Sequence, residues 1–131
     1  MTDIRTIALY FLSLSSMTHK KLQKLCYYAQ AWHLANYGTP LMSNRFEAWI
    51  HGPVSPDLYF EYKEWGWLQI PKVSTPPALG DAERTFVENV YSVYGHYTPD
   101  ELEYLTCREL PWRIARKGVP RNRYSRNPIS A

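Results

Sequence analysis

The chain has 131 residues, two cysteines and a formal net charge of +3, which fits one ordinary domain. Cys26 and Cys107 lack the close spacing of a zinc site or a redox dithiol, so we expect reduced thiols and a cytoplasmic location. Residues 7–14 are apolar but short and lack a basic start, so we predict neither an export signal nor a membrane span.

Caps and apolar spacing predict the first two helices. Asp3 is placed to cap a helix that ends in the stretch SLSS, and Thr18 opens a longer helix that Gly38 and Pro40 stop. The inward residues are Ile4, Ile7, Ala8, Phe11 and Leu12 on the first helix and Leu22, Leu25, Ala29 and Trp32 on the second. The second helix also carries a polar and aromatic set that suits contact with a partner as well as solvent: Lys20, Lys21, Gln23, Lys24, Tyr27 and Gln30.

The stretch EAWIHGPVSPDLY, residues 47–59, predicts an extended segment, a tight turn and a helix start. Gly52 and Pro53 make the turn. Ser55 is placed as the N-cap, Pro56 as the first helical residue and Asp57 as the carboxylate of the first turn. We expect this helix to stop at Gly66, and its expected inward residues are Leu58, Tyr62 and Trp65.

Three further helices are predicted after a proline-containing loop over residues 70–80. Asp81 is placed to cap the first, Thr98 opens the second with the capping box TPDE, and the last is closed by Gly118. Their expected inward residues are Phe86, Val90, Val93 and Tyr94, then Leu102 and Leu105, then Trp112, Ile114 and Ala115. The fold class is therefore mainly α, a single compact domain of about five or six helices with at most a small β-hairpin or extended segment.

The charge is unevenly distributed along the chain. Residues 1–109 carry nine Lys or Arg and all twelve Asp or Glu, whereas residues 110–131 carry six basic residues and no acidic one. Residues 119–131 have no apolar period, so we predict a basic flexible C-terminal tail after a helical domain of residues 1–118. With Lys20, Lys21 and Lys24, this tail could contact nucleic acid, although the mildly acidic body argues against a dedicated DNA-binding domain.

Catalytic and metal sites have no support in the sequence. Ser55, His51 and Asp57 suggest a hydrolase, but they crowd one turn, the serine is better used as a cap, and no strand-elbow-helix pattern surrounds them. The histidines show no zinc spacing and the glycines form no phosphate-binding loop. We therefore predict no enzymatic activity, no metal and no cofactor.

The corner residues Gly52, Pro53, Ser55 and Pro56 are explained by a structural role alone. Glu47, Trp49 and His51 are not, since they share one side of an extended segment, so a partner-binding role for the corner stays as the alternative to a purely structural one.

The chain resembles the Panacea-domain family in three stretches, which occur in the order seen in that family: KLQKLCYYAQAWHLANYGTPL, FEAWIHGPVSPDLYFEYKEWG and YTPDELEYLTCRELPW. That family is also called SocA-like and includes the GepA proteins of phages and mobile elements. The resemblance covers residues 4–115. The family usually has a histidine where this chain has Cys107. The matching positions are Lys21, Leu22, Gln23, Lys24, Leu25, Tyr27, Tyr28, Ala29, Gln30, Trp32, Glu47, Ala48, Trp49, Gly52, Pro53, Val54, Pro56, Tyr59, Leu105, Thr106, Glu109, Pro111 and Trp112.

The resemblance implies an antitoxin that neutralises a co-encoded toxin by direct binding. The alternatives are a proteolytic adaptor that passes a toxin to a protease, and a prophage protein that binds nucleic acid through its basic end. An aromatic surplus is typical of interface anchors, which favours a protein partner. The residues predicted to contact that partner are Lys24, Tyr27, Gln30, Glu47, Trp49, His51, Tyr59, Arg121, Arg123 and Arg126.

Overall fold

A computed structural model describes residues 1–130. Its helices are α1 (Ile4–Leu14), α2 (His19–Tyr37), α3 (Pro56–Tyr62), α4 (Asp81–Tyr94), α5 (Pro99–Arg108) and α6 (Leu110–Ala115). A single 3₁₀ turn, Lys63–Trp65, follows α3. The strands are β1 (Met17–Thr18), β2 (Glu47–Trp49), β3 (Gly52–Val54) and β4 (Gln69–Ile70).

The caps predicted from the sequence define most helix ends. Asp3, Thr18 and Ser55 each accept a hydrogen bond from a backbone N–H of the first turn, and Thr98 forms the complete capping box. Gly38 ends α2 in the left-handed conformation, where a residue without Cβ is favoured. Two predicted ends differ from the structure. Asp81 is the first residue of α4 and not its cap, because the extended Gly80 precedes it. The last helix, α6, ends at Ala115 with Arg116 as its C-cap, before the predicted stop at Gly118.

α2 is the central helix of one compact domain. α1, α3, α4, α5 and β3 all pack against it. The core consists of apolar side chains from these elements, with Phe11 and Leu25 at 0% exposure. Because α2 is covered on several sides, residues 22–29 are all buried. The prediction that its polar and aromatic set is open to solvent is therefore wrong for Gln23, Lys24 and Tyr27.

Two small antiparallel sheets join the helices. β2 pairs with β3 in a hairpin, in which Trp49 lies opposite Gly52. β1 pairs with β4, with Met17 opposite Ile70, and this second ladder is not predicted by the sequence. Both sheets stay within the mainly α class, which confirms the predicted fold.

Three predicted inward residues lie at the surface instead. Trp65 is 37% exposed, because the tighter 3₁₀ turn after α3 rotates it away from the line of Leu58. Val93 is 41% exposed, and its place in the core is taken by Val87. Ile114 is 66% exposed, since the short α6 turns Trp112 inward.

The C-terminal segment lies along the hairpin. The Asn127 carbonyl accepts a hydrogen bond from the Ala48 N–H at 2.8 Å, and the Ile129 N–H donates to the Phe46 carbonyl at 2.9 Å. The sequence predicts a flexible tail from residue 119, because that segment lacks an apolar period. The segment is held by backbone hydrogen bonds to Phe46 and Ala48. Backbone bonds do not depend on which side chains are apolar, so the sequence pattern does not reveal them.

Candidate functional site

The turn between β3 and α3 is fixed to α2 by one glutamine. The Gln23 side chain accepts a hydrogen bond from the Ser55 N–H at 2.8 Å and donates to the Ser55 carbonyl at 3.0 Å. Gly52 has φ +117°, and a Cβ there would lie 2.9 Å from the Cε of Lys24 and 3.1 Å from the Oγ1 of Thr106. The positive φ favours glycine at this position, and the Lys24 and Thr106 side chains leave little room for a Cβ.

Three successive carbonyls of the hairpin accept hydrogen bonds from the C-terminal part of the chain. Arg116 donates to the Ala48 carbonyl at 3.2 Å, the Trp112 indole to the Trp49 carbonyl at 2.9 Å, and Arg121 to the Ile50 carbonyl at 2.8 Å. These groups satisfy the outer edge of β2 and its turn.

Glu47 is a buried carboxylate with a complete set of donors. Arg45 donates to it from Nε and Nη2 at 3.1 and 3.0 Å, the Trp49 indole at 2.9 Å and the Arg126 Nε at 3.2 Å. Burial alone would raise its pKa, but these hydrogen bonds outweigh burial and hold the pKa of Glu47 below its ordinary value. Glu47 is thus an ionised structural group.

Glu103 of α5 joins the corner to the N-terminal part of α2. Its carboxylate lies 2.6 Å from the Lys20 Nζ, 3.2 Å from the His51 Nδ1 and 3.5 Å from the Arg121 Nη2. Lys20 also pairs with Asp100 at 2.7 Å. The Lys20–Glu103 pair is mostly buried, whereas the Asp100, His51 and Arg121 side chains of the other pairs are exposed and contribute little stability singly. Together the pairs fix the positions of these side chains.

A cavity of about 340 Å³ opens between α2, the hairpin and the segment after α3. We call it the corner pocket. Its ionisable nitrogen-bearing residues are His19, Lys20, Lys24, His51 and Lys63, and its aromatic residues are Trp49, Tyr59 and Trp67. No carboxylate side chain lines it within the part of the chain that the structure describes. The pocket is therefore basic and aromatic.

Lys24 forms the buried end of the corner pocket. Its side chain is only 2% exposed, and no carboxylate of residues 1–130 lies within 4.0 Å of its ammonium group. Burial, assisted by the charge of Lys20 and opposed by the more distant charge of Glu103, lowers the pKa of Lys24 to about 8. The amine therefore still carries its charge at neutral pH.

The aromatic wall of the pocket leads from this buried end to the surface. The Trp49 and Tyr59 ring centroids are 4.9 Å apart, and those of His19 and Tyr59 are 5.7 Å apart. Burial, together with the nearby charge of Lys24, lowers the pKa of His19 to about 4, so this imidazole is neutral at pH 7. At the mouth, Trp67 is 81% exposed.

The predicted contact residues fall into two groups. Lys24, Tyr27 and Glu47 are 2%, 5% and 5% exposed, and Gln30 is engaged with the loop after α2, accepting from the Leu41 and Met42 N–H groups. The remaining members are at least partly exposed, and their role in partner binding stays a prediction: Trp49, His51, Tyr59, Arg121, Arg123 and Arg126. Of the predicted contacts, the corner pocket brings together Lys24, Trp49, His51 and Tyr59.

Sequence reasoning missed Lys63 and Trp67 as parts of the pocket, and Gln23, Trp112 and Arg116 as its supports. The stretch WGWL gives a sign of the exposed Trp67. Trp65 and Trp67 are two residues apart beside a helix stop, and that spacing does not place both of them on one buried helix face. Arg116 gave no signal, because its partners lie on a strand far away in sequence.

The corner does not assemble a catalytic serine. The Ser55 side chain is fully buried and accepts the Leu58 N–H as the cap of α3, while His51 faces Glu103. Within residues 1–130, no group of three or more His, Cys, Asp or Glu side chains is placed to hold a metal ion. Cys26 is buried and Cys107 half-buried, and both are free thiols. Among the described residues, no helix is long and apolar enough to cross a membrane.

Comparison with known proteins gives two matches. Residues 22–113 match the family model described as antitoxin SocA-like, Panacea domain. A stretch of 38 residues is 50% identical to the antitoxin SocA of Caulobacter vibrioides (strain NA1000 / CB15N). That stretch is 29% of this chain and covers only 20% of the length of the relative. No solved structure matches the chain.

Proposed function

The chain belongs to the SocA-like antitoxin family with the Panacea domain, and we propose that it is an antitoxin that neutralises a co-encoded protein toxin by direct binding. The match over residues 22–113 carries this proposal, because it extends from α2 through the hairpin into α6 and so includes most of the corner pocket and its supports.

Steric occlusion is the mode of action that we propose. The hairpin is fixed by Gln23, Trp112 and Arg116, so little order has to be gained on binding. Trp49, Tyr59 and Trp67 supply large rigid side chains of the kind that anchor protein interfaces. A toxin held against this surface would have its own active surface covered, without any reaction catalysed by the antitoxin.

The basic C-terminal end supports a protein partner better than a nucleic acid. Arg116, Arg121 and Arg126 are engaged within the chain, by backbone carbonyls, Glu103 and Glu47. Guanidinium groups already paired in this way have less to gain from phosphates.

Co-expression with the product of the adjacent open reading frame tests the proposal. We expect that product alone to stop growth, that this chain restores growth, and that the two proteins purify as a stable complex. A neighbour that is harmless, or that is toxic but neither rescued nor bound, would contradict the proposal.

Single substitutions locate the contact surface. His51→Ala and Arg123→Ala change exposed predicted contacts, while Lys72→Ala changes an exposed lysine in the loop before α4 and serves as the control. We expect weaker neutralisation from the first two variants at unchanged circular dichroism. Full neutralisation by folded variants at every exposed predicted contact would show that the toxin binds elsewhere.

A further inference from the structure

Among residues 1–130 no carboxylate lies within 4.0 Å of the Lys24 ammonium group, and Glu103 acts on it only from a longer distance. Arg116 is almost as buried, at 4% exposure, yet it donates hydrogen bonds to the carbonyls of Ala48, Pro120 and Arg123. Lys24 lines a cavity instead and has no ion-pair partner among residues 1–130. A buried cation is costly unless it is paired, so a negative group that entered this cavity would relieve that cost.

The surrounding charges make the corner pocket selective for an anion. Lys20 and His51 line it beside Lys24, and Lys63 lies at its edge. The nearby carboxylate of Glu103 is already shared by Lys20, His51 and Arg121. Lys24 and Lys63 line the pocket with no carboxylate of residues 1–130 within 4.0 Å, so a second cation would be repelled there and a carboxylate would meet ammonium donors.

The mouth of the pocket is apolar and extends beyond the size of a small anion. Trp67 lines it at 81% exposure. Phe60 is 63% exposed, and its ring centroid lies 5.8 Å from that of Tyr59 and 5.2 Å from the Lys63 Nζ. Exposed aromatic surface beside a charged cavity is typical of a site for a protein segment, since only a larger ligand covers both.

We propose that the corner pocket binds an acidic segment of the toxin, with one Asp or Glu carboxylate paired to the Lys24 ammonium and a neighbouring apolar side chain packed on Trp67 and Tyr59. The identity of the partner rests on the antitoxin function proposed above. The chemistry of the pocket does not, and it is testable without the toxin.

Selection of displayed random 12-residue peptides on the full-length chain tests the pocket directly. We expect the selected sequences to share an Asp or Glu beside an aromatic or aliphatic residue. A synthetic peptide of that kind is expected to bind Lys24→Met about 30-fold more weakly or worse, because its carboxylate is left unpaired in the pocket. Replacing that carboxylate by the amide, Glu by Gln or Asp by Asn, should produce a comparable loss.

Matched variants separate the pocket from general effects. Lys117→Met removes an exposed lysine that does not line the pocket, and Tyr124→Ala removes an aromatic ring that is 84% exposed. Both should bind the peptide like the unsubstituted chain, while Trp67→Ala should bind it several-fold more weakly. Met at position 24 keeps the length of the side chain, so Lys24→Met is expected to remain folded.

Three results would overturn the proposal: no enriched peptide, enriched peptides without an acidic residue, or equal binding by Lys24→Met. Displacement of the peptide by inorganic phosphate, with phosphate binding abolished by Lys24→Met, would overturn it in favour of a small-anion site. If the chain neutralises its toxin while the selection fails, only the pocket assignment is wrong. If the peptide binds as expected and the chain neutralises nothing, the pocket stands and the antitoxin function is wrong.

Discussion

Glu47 belongs to strand β2 of the hairpin, and the Lys24 side chain lies next to Gly52 of β3. Both side chains are almost fully buried and both are charged at neutral pH, yet only Glu47 has an ion-pair partner among residues 1–130. Four hydrogen bonds from Arg45, Trp49 and Arg126 reach the Glu47 carboxylate, whereas no carboxylate of residues 1–130 reaches the Lys24 ammonium. A buried charge that stabilises a fold normally has hydrogen-bond or ion-pair partners within that fold. The difference indicates that Glu47 holds the hairpin in place, while Lys24 is available to a ligand.

The largest expected effect comes from removing the unpaired charge. The pKa of Lys24 is about 8 in the folded chain and near 10.5 in the unfolded one, so the unfolded state binds the proton more tightly. Lys24→Met should therefore raise the free energy of unfolding at pH 7 by about 3 kcal/mol. The difference from the unsubstituted chain should shrink as the pH rises from 8 to 10.5, which urea denaturation at several pH values would measure. A variant that is less stable than the unsubstituted chain at pH 7 would show that the charge is used by the fold.

Removing the paired charge should have the opposite sign. Glu47→Gln keeps the shape of the side chain but loses the charge that Arg45, Trp49 and Arg126 hydrogen-bond, so we expect a loss of about 2 kcal/mol of unfolding free energy. Urea denaturation at pH 7 measures it, with the exposed Glu64→Gln as the control. A loss no larger than that of the control would mean that the buried charge of Glu47 does not stabilise the fold and so does not differ from that of Lys24 in this respect.

Acidic pH should lower the free energy of unfolding through His19, which lines the pocket beside Lys24. The pKa of His19 is about 4 in the folded chain against 6.5 for an ordinary histidine, so stability is lost as the pH falls from 6.5 toward 4. At pH 5.5 we expect a loss of about 1 kcal/mol that His19→Gln removes and the exposed His96→Gln does not. The loss should be smaller in Lys24→Met, because the Lys24 charge also lowers the pKa of His19. An equal pH dependence in the unsubstituted chain and His19→Gln would show that His19 is not buried in its neutral form.

The smallest effect concerns the C-terminal segment. Arg126 donates to Glu47 but its side chain is 67% exposed, so Arg126→Met should cost about 0.5 kcal/mol. Arg123→Met is the control, since the Arg123 side chain makes no ion pair or hydrogen bond with the described residues. Amide hydrogen exchange at Ala48 and Ile129 gives a second measurement, because their N–H groups hold the segment to the hairpin. Unprotected amides at both positions would support the flexible tail predicted from the sequence.

Local signals account for the helices. The capping residues Thr18 and Thr98 and the left-handed Gly38 act within one turn of the chain, so their effect can be predicted without the rest of the fold. The β1–β4 ladder could not be predicted in this way. It joins residues 17–18 to residues 69–70, and two residues per strand are too few to show an alternating pattern.

The candidate site was predicted in part. The corner turn and the aromatic residues Trp49 and Tyr59 were identified from sequence, but the burial of Lys24 was not. A lysine in the first turns of a helix is usually solvated, and this one is buried because β3 and α5 close over α2, with Gly52 and Thr106 next to its side chain. Such burial depends on elements that follow much later in the chain, so it cannot be predicted from the helical period of α2.

The most direct test of this account is the pKa of the Lys24 amine, measured by NMR on lysine-labelled protein alone and in complex with the selected acidic peptide. We predict a pKa of about 8 in the free chain and a rise to 10.5 or above in the complex, because the peptide carboxylate stabilises the ammonium form. A pKa near 10.5 in the free chain, or one that the peptide leaves unchanged, would contradict the claim that Lys24 is an unpaired buried charge that binds a carboxylate of the partner.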